Sequence, residues 1–359
     1  MREWLNPWNP FNSAKVLLWR EHLEACARED YLPPVSIDID PANACNYQCK
    51  FCNAQDVMGG DVMTEKHMLD LADFFAAWGV KSGCCAGGGE PLIAGGTIGY
   101  LERMKHHGLE NGLITNGSLI TDRMYGVLCN SCRWIGISID AGTAETYSAI
   151  KGCNPEMFYD VMRKAQELIR FNRENEYHAE ITYKYLLMPE NADEIYAAAY
   201  QARDMGFTAF HLRPVGWDNI TATAGMQISY TSEKIDEINR QIDAAIQLSN
   251  KHFTFYGVRH KFNADFSRKV NFKRCWAIPM IPTFSADGNV YLCFDMRGKH
   301  PMTRHDPDAG EILRYWNTDA HRALVRSIDP QKCPRCTFGA HNEIVEQVII
   351  NDSMCGNFP

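Results

Sequence analysis

Cys45, Cys49 and Cys52 stand at Cx3Cx2C spacing in the stretch Ala44-Cys45-Asn46-Tyr47-Gln48-Cys49-Lys50-Phe51-Cys52. Iron–sulfur clusters ordinarily take four cysteines, so a local set of three suggests a [4Fe–4S] cube with one iron reserved for a ligand that reacts. The alternatives on these residues alone are a zinc site or three unrelated thiols. A second set lies towards the other end of the chain: Cys275, then Gly288 and Cys293, then Cys333-Pro334-Arg335-Cys336. Four thiolates suit tetrahedral zinc or a second cube equally well. A third stretch, Gly87-Gly88-Gly89-Glu90-Pro91, joins a pliable main chain to one carboxylate. Such a turn can offer a carbonyl and a carboxylate to an ammonium group, because glycine lets the main chain approach closely.

These residues must be held by something, and the hydrophobic pattern says what. A strand over Val35–Asp40 leads straight into the first cysteine loop. Thr64 caps a helix that runs to about Trp78 and stops at Gly79. Strand-like runs follow at Lys81–Ala86, Asn111–Thr115, Trp134–Ile139, Ala179–Leu187 and Thr208–Arg213, with helical runs between them. Alternation of this kind predicts an α/β fold with a parallel sheet and helices outside it. Right-handed crossovers curl such a sheet towards a barrel, and six units are too few to close an eight-stranded one. In βα barrels the loops after the strands build the site. The cysteine loop, Gly87–Pro91, Asn116, Ser138, Asp140 and Arg213 all fall at such strand ends. Beyond Pro214 the pattern changes: a Gly- and Thr-rich linker, one helix over roughly Ser232–Lys251, then an irregular region with a hairpin signal at Asp287-Gly288.

The chain has 359 residues, is 45% hydrophobic and carries a net charge of −8, so it can bury a large core and offers no broad basic surface for nucleic acid. The N-terminus lacks a signal-peptide pattern, and no apolar run is long enough to span a membrane. Fourteen cysteines without an export signal read as reduced thiols and metal ligands in a cytoplasmic protein. Cys26, Cys84, Cys85, Cys129, Cys132 and Cys153 read as structural.

With Phe51 preceding the last cysteine, the loop resembles the cluster loop of the radical S-adenosylmethionine (radical SAM) superfamily, and Gly88-Gly89-Glu90-Pro91 resembles that family's GGEP stretch. The resemblance implies a partial (βα)6 TIM-like barrel over residues 35–214, behind an N-terminal helical cap over 1–34. It implies S-adenosylmethionine as cofactor, with Gly88, Gly89, Glu90 and Pro91 at the methionyl group, and Ser138 and Asp140 at the ribose. Asn116 would help to hold the cofactor, and Phe51 and Leu212 would flank the adenine. Cx12Gx4C followed by Cx2C resembles the auxiliary-cluster region of the SPASM/Twitch group, here over residues 261–359 after a linker and helix over 215–260. Cys275, Cys293, Cys333 and Cys336 would then hold an auxiliary [4Fe–4S] cluster. Asn342 and Glu346 stand where a full SPASM domain continues with cysteines, which favours the shorter Twitch form. Cys355 is left as a late ligand, a hydrogen-atom donor or a buried thiol.

The implied chemistry is reductive cleavage of S-adenosylmethionine to a 5′-deoxyadenosyl radical that abstracts a substrate hydrogen, fed by a reductase such as flavodoxin or ferredoxin. Only 34 residues precede the first strand, which leaves no room for a leader-peptide-binding domain and favours a sugar, aminocyclitol or nucleoside-like small molecule. Arg213 and Lys184 are candidates for substrate binding or proton transfer, although period-two alternation leaves open whether Lys184 or Tyr183 faces inward. The favoured reaction is a two-electron oxidation with the auxiliary cluster as electron acceptor. The alternatives are a redox-neutral epimerase, dehydratase or decarboxylase, a peptide-modifying maturase, and a zinc-binding module with no catalytic role.

Overall fold

Strand and helix alternate through most of the chain in the computed structural model, which describes residues 13–215, 230–259, 270–333 and 336–350. A 3₁₀ helix at Ser13–Trp19 runs into α1 (Arg20–Ala27), within the segment expected as a helical cap. Then come β1 (Ser36–Asp40), α2 (Glu65–Trp78), β2 (Ser82–Cys85), α3 (Thr97–His106), β3 (Glu110–Thr115), α4 (Tyr125–Ser131) and β4 (Cys132–Ser138). After them are α5 (Ala144–Lys151), α6 (Glu156–Glu174), β5 (Glu180–Leu187), α7 (Ile195–Met205) and β6 (Ala209–Pro214). The local signals act as expected at α2: the Thr64 hydroxyl accepts from His67 N at 3.2 Å, and Gly79 ends the helix with φ at 99°.

Between residues 35 and 260, one helix and one strand are absent from the sequence reading. One is α5, a short helix between β4 and α6. The other is β7 (Thr254–Gly257), which follows α8 (Ser232–Ile246) and pairs in parallel with β6. The region 215–260 therefore adds a strand to the sheet rather than serving only as linker and helix. The Gly- and Thr-rich stretch 216–229 and Cys355 lie outside the described residues.

The hairpin signalled by Asp287-Gly288 forms between β8 (Thr283–Ser285) and β9 (Asn289–Tyr291), with Gly288 at φ 82°. β10 (Pro301–Arg304) extends it. This hairpin does not stand apart: β8 lies parallel against β1, with Asp38 opposite Thr283. The sheet order is β10-β9-β8-β1-β2-β3-β4-β5-β6-β7, so the C-terminal region continues the barrel's own sheet. Two short helices complete it, α9 (Asp319–Ser327) and α10 (Gly339–Ile344), the latter running on as a π-helical turn over Val345–Ile350.

Alternation along the strands sorts side chains between two environments. Ile37, Ile39, Ile137, Tyr183, Tyr185 and Leu212 are fully buried in the hydrophobic cluster under the helices. Their neighbours Asp38, Cys84, Ser138, Leu186 and Arg213 line the interior of the curved sheet. Trp316 ties the C-terminal region to the N-terminal cap, its Nε1 donating to the carbonyls of Tyr31 and Leu32 at 3.2 and 3.0 Å.

Candidate active site

The cysteine loop is seated from two sides. Gln48 N and Lys50 N donate to the carbonyls of Lys151 and Ile150 at 3.1 and 3.0 Å, so the end of α5 holds the loop's middle. On the other side Gly89 N donates to Ala42 O at 2.8 Å and Glu90 N to Ala44 O at 2.9 Å. A Cβ at Gly89 would overlap the Ala44 carbonyl, and one at Gly88 would overlap the Asn43 side chain. These glycines are thus required for the GGEP stretch to dock on the cysteine loop, a reason beyond closeness to a ligand. Burial raises the thiol pKa of Cys45, Cys49 and Cys52, that of Cys49 to about 11. Iron binds the thiolate form and so offsets that burial.

Glu90 is only 2% exposed. Its Oε1 accepts from Thr115 Oγ1 at 2.6 Å and Leu92 N at 3.1 Å, and its Oε2 from Asn116 N at 2.7 Å. Burial raises its pKa against these hydrogen bonds. A carboxylate has roughly four acceptor positions, so one remains for a donor in the cavity that Glu90 lines. Asn116 also lines it, but its side chain is engaged: Nδ2 donates to Asn46 Oδ1 at 2.9 Å and Oδ1 accepts from Ser118 N at 2.9 Å. It braces the cysteine loop against the end of β3.

That cavity, of about 510 Å³, gathers Cys45, Cys49, Cys52, Phe51, Gly88, Gly89, Glu90, Asn116, Ser138 and Arg213 from separate strand ends. Four candidates lie elsewhere. Pro91 is buried at the start of a 3₁₀ turn, its carbonyl accepting from Thr97 Oγ1 at 2.6 Å. Leu212 is core, on the strand face opposite Arg213. Asp140 is fully buried, with Oδ2 2.5 Å from Lys151 Nζ and Oδ1 accepting from Leu186 N at 2.6 Å. It positions Lys151 instead of meeting a ribose. Lys184 shares the inward face of β5 with Leu186 but is not part of the cavity lining, and its Nζ lies 3.3 Å from His211 Nδ1. Burial, helped by Arg213, lowers the Lys184 pKa to about 8, and burial holds His211 well below its usual value.

The structure adds three groups that the sequence reading does not single out. Lys151 is 1% exposed, lines the cavity, and holds its ammonium 5.2 Å from the Phe51 ring centre. Burial disfavours its charge most, but Asp140 and Cys49 together raise its pKa. Asp38 lines the cavity floor with Oδ2 unpartnered, and burial raises its pKa to about 7 against the pull of Arg297. Arg297 reaches in from beyond β9 to pair with Asp40, Nη2 to Oδ1 at 2.8 Å and Nε to Oδ2. A sequence signal for the floor did exist. Ser36-Ile37-Asp38-Ile39-Asp40 alternates, whereas a parallel strand buried on both faces reads as continuously apolar, so the acids must face a polar lumen. Lys151 and Arg297 carry no comparable signal.

Cys275, Cys293 and the Cys333/Cys336 pair come from three points of the C-terminal region and lie near enough to affect one another's charge: Cys275 with Cys333, and Cys293 with Cys275 and Cys336. Among the described residues no group of three His, Cys, Asp or Glu side chains converges as a site for a single metal ion. Cys336 and Thr337 also line the cavity that holds the first cysteine loop. Cys129 and Cys132 are buried in the hydrophobic core.

Residues 39–199 match the family model described as Radical SAM superfamily. Residues 39–199 therefore form a radical SAM domain, for which S-adenosylmethionine and an iron–sulfur cluster are the expected cofactors. It is 22% identical over 226 residues to a probable GTP 3′,8-cyclase of Saccharolobus islandicus, covering 62% of this chain and 70% of that one. It is 28% identical over 160 residues to an S-adenosylmethionine-dependent nucleotide dehydratase of Lacinutrix mariniflava, covering 41% of this chain and 33% of that one. Among solved structures it resembles Streptococcus suis SuiB bound to S-adenosylmethionine, with a TM-score of 0.65 and 14% identity over 86% of this chain and 71% of that one. It also resembles anSMEcpe with bound AdoMet and a peptide, at a TM-score of 0.60 and 17% identity over 87% and 88% of the two chains. Both are radical SAM enzymes of the SPASM/Twitch type, and at these identities the likeness concerns the fold.

Proposed function

We propose that this enzyme abstracts a hydrogen atom from a nucleotide-like, sugar or aminocyclitol small molecule and completes a two-electron oxidation. The observation that carries this is the shared cavity: Cys45, Cys49, Cys52 and Cys336 line the same space of about 510 Å³. A substrate there would meet the loop cysteines and one member of the C-terminal set, Cys336. When bound, the first cluster with S-adenosylmethionine supplies a 5′-deoxyadenosyl radical, and the second supplies a one-electron acceptor. The chain's own contribution is placement. Glu90 offers a carboxylate to the methionyl ammonium, Ser138 offers a hydroxyl from the end of β4, and Lys151 places a fixed positive charge beside Cys49. The GTP cyclase and nucleotide dehydratase relatives favour a nucleotide-like substrate over a peptide.

The test is a metabolite trap. The reconstituted enzyme is incubated anaerobically with S-adenosylmethionine and a low-molecular-weight cell extract. The expected product has lost two hydrogens and accumulates with one 5′-deoxyadenosine per molecule. A product of unchanged mass would contradict oxidation and favour a redox-neutral reaction. A specific observation supports that second reading: the Cys84 thiol also lines the cavity, next to Asp38 in strand register, and a thiol can return a hydrogen atom to a carbon radical. In deuterated water such a product gains one carbon-bound deuterium, and Cys84→Ala abolishes it.

A further inference from the structure

We infer that Asn342 donates a hydrogen bond to the Cys275 sulfur and thereby raises the potential of the auxiliary cluster, making it a better electron acceptor. This rests on the reading of Cys275, Cys293, Cys333 and Cys336 as that cluster's ligands. Asn342 is fully buried on α10. Its Oδ1 accepts from Trp276 N at 2.6 Å and Ala277 N at 2.9 Å. Those two donors fix which end of the amide is oxygen, since an amide nitrogen there would face two N–H groups. Nδ2 is therefore turned to Cys275 Sγ, 3.6 Å away.

Glu346 stands about one helical turn further on and has a different task. Its carboxylate accepts from Lys273 N at 2.9 and 2.8 Å, from Arg274 N at 3.3 Å and from Trp276 Nε1 at 3.3 Å. The two side chains grip residues 273–277 together, but among these bonds only the Asn342 amide reaches a sulfur. A hydrogen bond to a ligand sulfur stabilises the reduced, more negative cluster and so raises its potential. The amide is neutral and does not titrate, so the bias holds across pH. The positions at which a SPASM domain would place further cysteines are used here to anchor and tune the ligand that remains.

The test uses the full chain carrying Cys45→Ala, Cys49→Ala and Cys52→Ala, so that only the auxiliary cluster is assembled, and follows its reduction by EPR-monitored titration. Asn342→Leu removes the amide. Asn342→Asp keeps an acceptor for Trp276 N and Ala277 N while removing the N–H donor. We expect both to keep four irons and to be reduced at least tenfold less readily, about 59 mV lower for a one-electron couple. An unchanged potential in both variants overturns the inference. So does loss of the cluster in Asn342→Asp, which would make the amide a structural requirement. A parent protein that holds no four-iron cluster would instead overturn the auxiliary-cluster reading beneath it.

Discussion

Asp38 is an acid in surroundings that disfavour its charge. It is 8% exposed on β1, with one carboxylate oxygen unpartnered. Asp40, Asp295 and Cys84 lie around it, and Arg297 is the cation facing it. The sign of the consequence is definite. The folded-state pKa is raised to about 7, above an unfolded value of about 3.9. The folded protein holds this proton, so the stability it contributes is complete below about pH 4 and is lost as pH rises towards 7, at about 1.4 kcal/mol per pH unit. Asp38→Asn mimics the protonated form and is spared that loss. Denaturant unfolding of the two proteins at about pH 5 and pH 8 should show the variant gaining on the wild type at the higher pH. A pH-independent difference would mean that Asp38 is ionised throughout. Lys151 is more deeply buried still, but Asp140 lies 2.5 Å away and its charge is kept.

At the scale of elements, the cysteine loop depends on neighbours distant in sequence: α5 at Ile150 and Lys151, the stretch Gly88–Glu90, and Asn116 after β3. Gly89→Ala should unseat the loop, because the added methyl meets backbone at Ala44, which has no rotamer with which to yield. We expect this variant to lose about four irons, one cube's worth, and to make no 5′-deoxyadenosine while its C-terminal iron is retained. Full iron loading would show that the loop tolerates the displacement.

The same elements show what was legible beforehand. Cx3Cx2C, GGEP and the strand–helix alternation are local patterns, and local patterns survive in one dimension. The phase of a strand is not local. Whether Lys184 or Tyr183 faced the lumen depended on register with β4 and β6, and the sheet places Lys184 opposite Ser138 on one side and His211 on the other. Asp140 was misjudged for a related reason. Its polar strand-end position looked like a ligand site, but its partner Lys151 belongs to a helix that the sequence reading did not include.

Over the whole molecule, the C-terminal region is joined to the barrel through shared sheet and buried charge. β8 extends the sheet beyond β1, and Arg297 pairs with the fully buried Asp40. Removing one partner of a buried ion pair costs about 3–5 kcal/mol, because the other charge is left uncompensated. Arg297→Met should therefore destabilise by about that amount, measured by denaturant unfolding. Arg297→Met combined with Asp40→Leu should recover much of the loss, since a well-packed apolar pair commonly replaces a buried ion pair without penalty. A double variant no better than the single one would show that the pair's geometry, and not its charge balance, joins the two regions.

The central claim is that two cysteine sets of one chain serve one radical reaction. The most direct measurement is anaerobic reconstitution with iron and sulfide, followed by reduction with S-adenosylmethionine and quantification of iron, sulfide and 5′-deoxyadenosine. The protein should take up about eight irons per chain, two four-iron cubes, and form 5′-deoxyadenosine. With Cys45, Cys49 and Cys52 changed to Ala, iron should fall to about four and 5′-deoxyadenosine should disappear. A protein that holds zinc at Cys275, Cys293, Cys333 and Cys336, or one that still forms 5′-deoxyadenosine without the three loop cysteines, would contradict it.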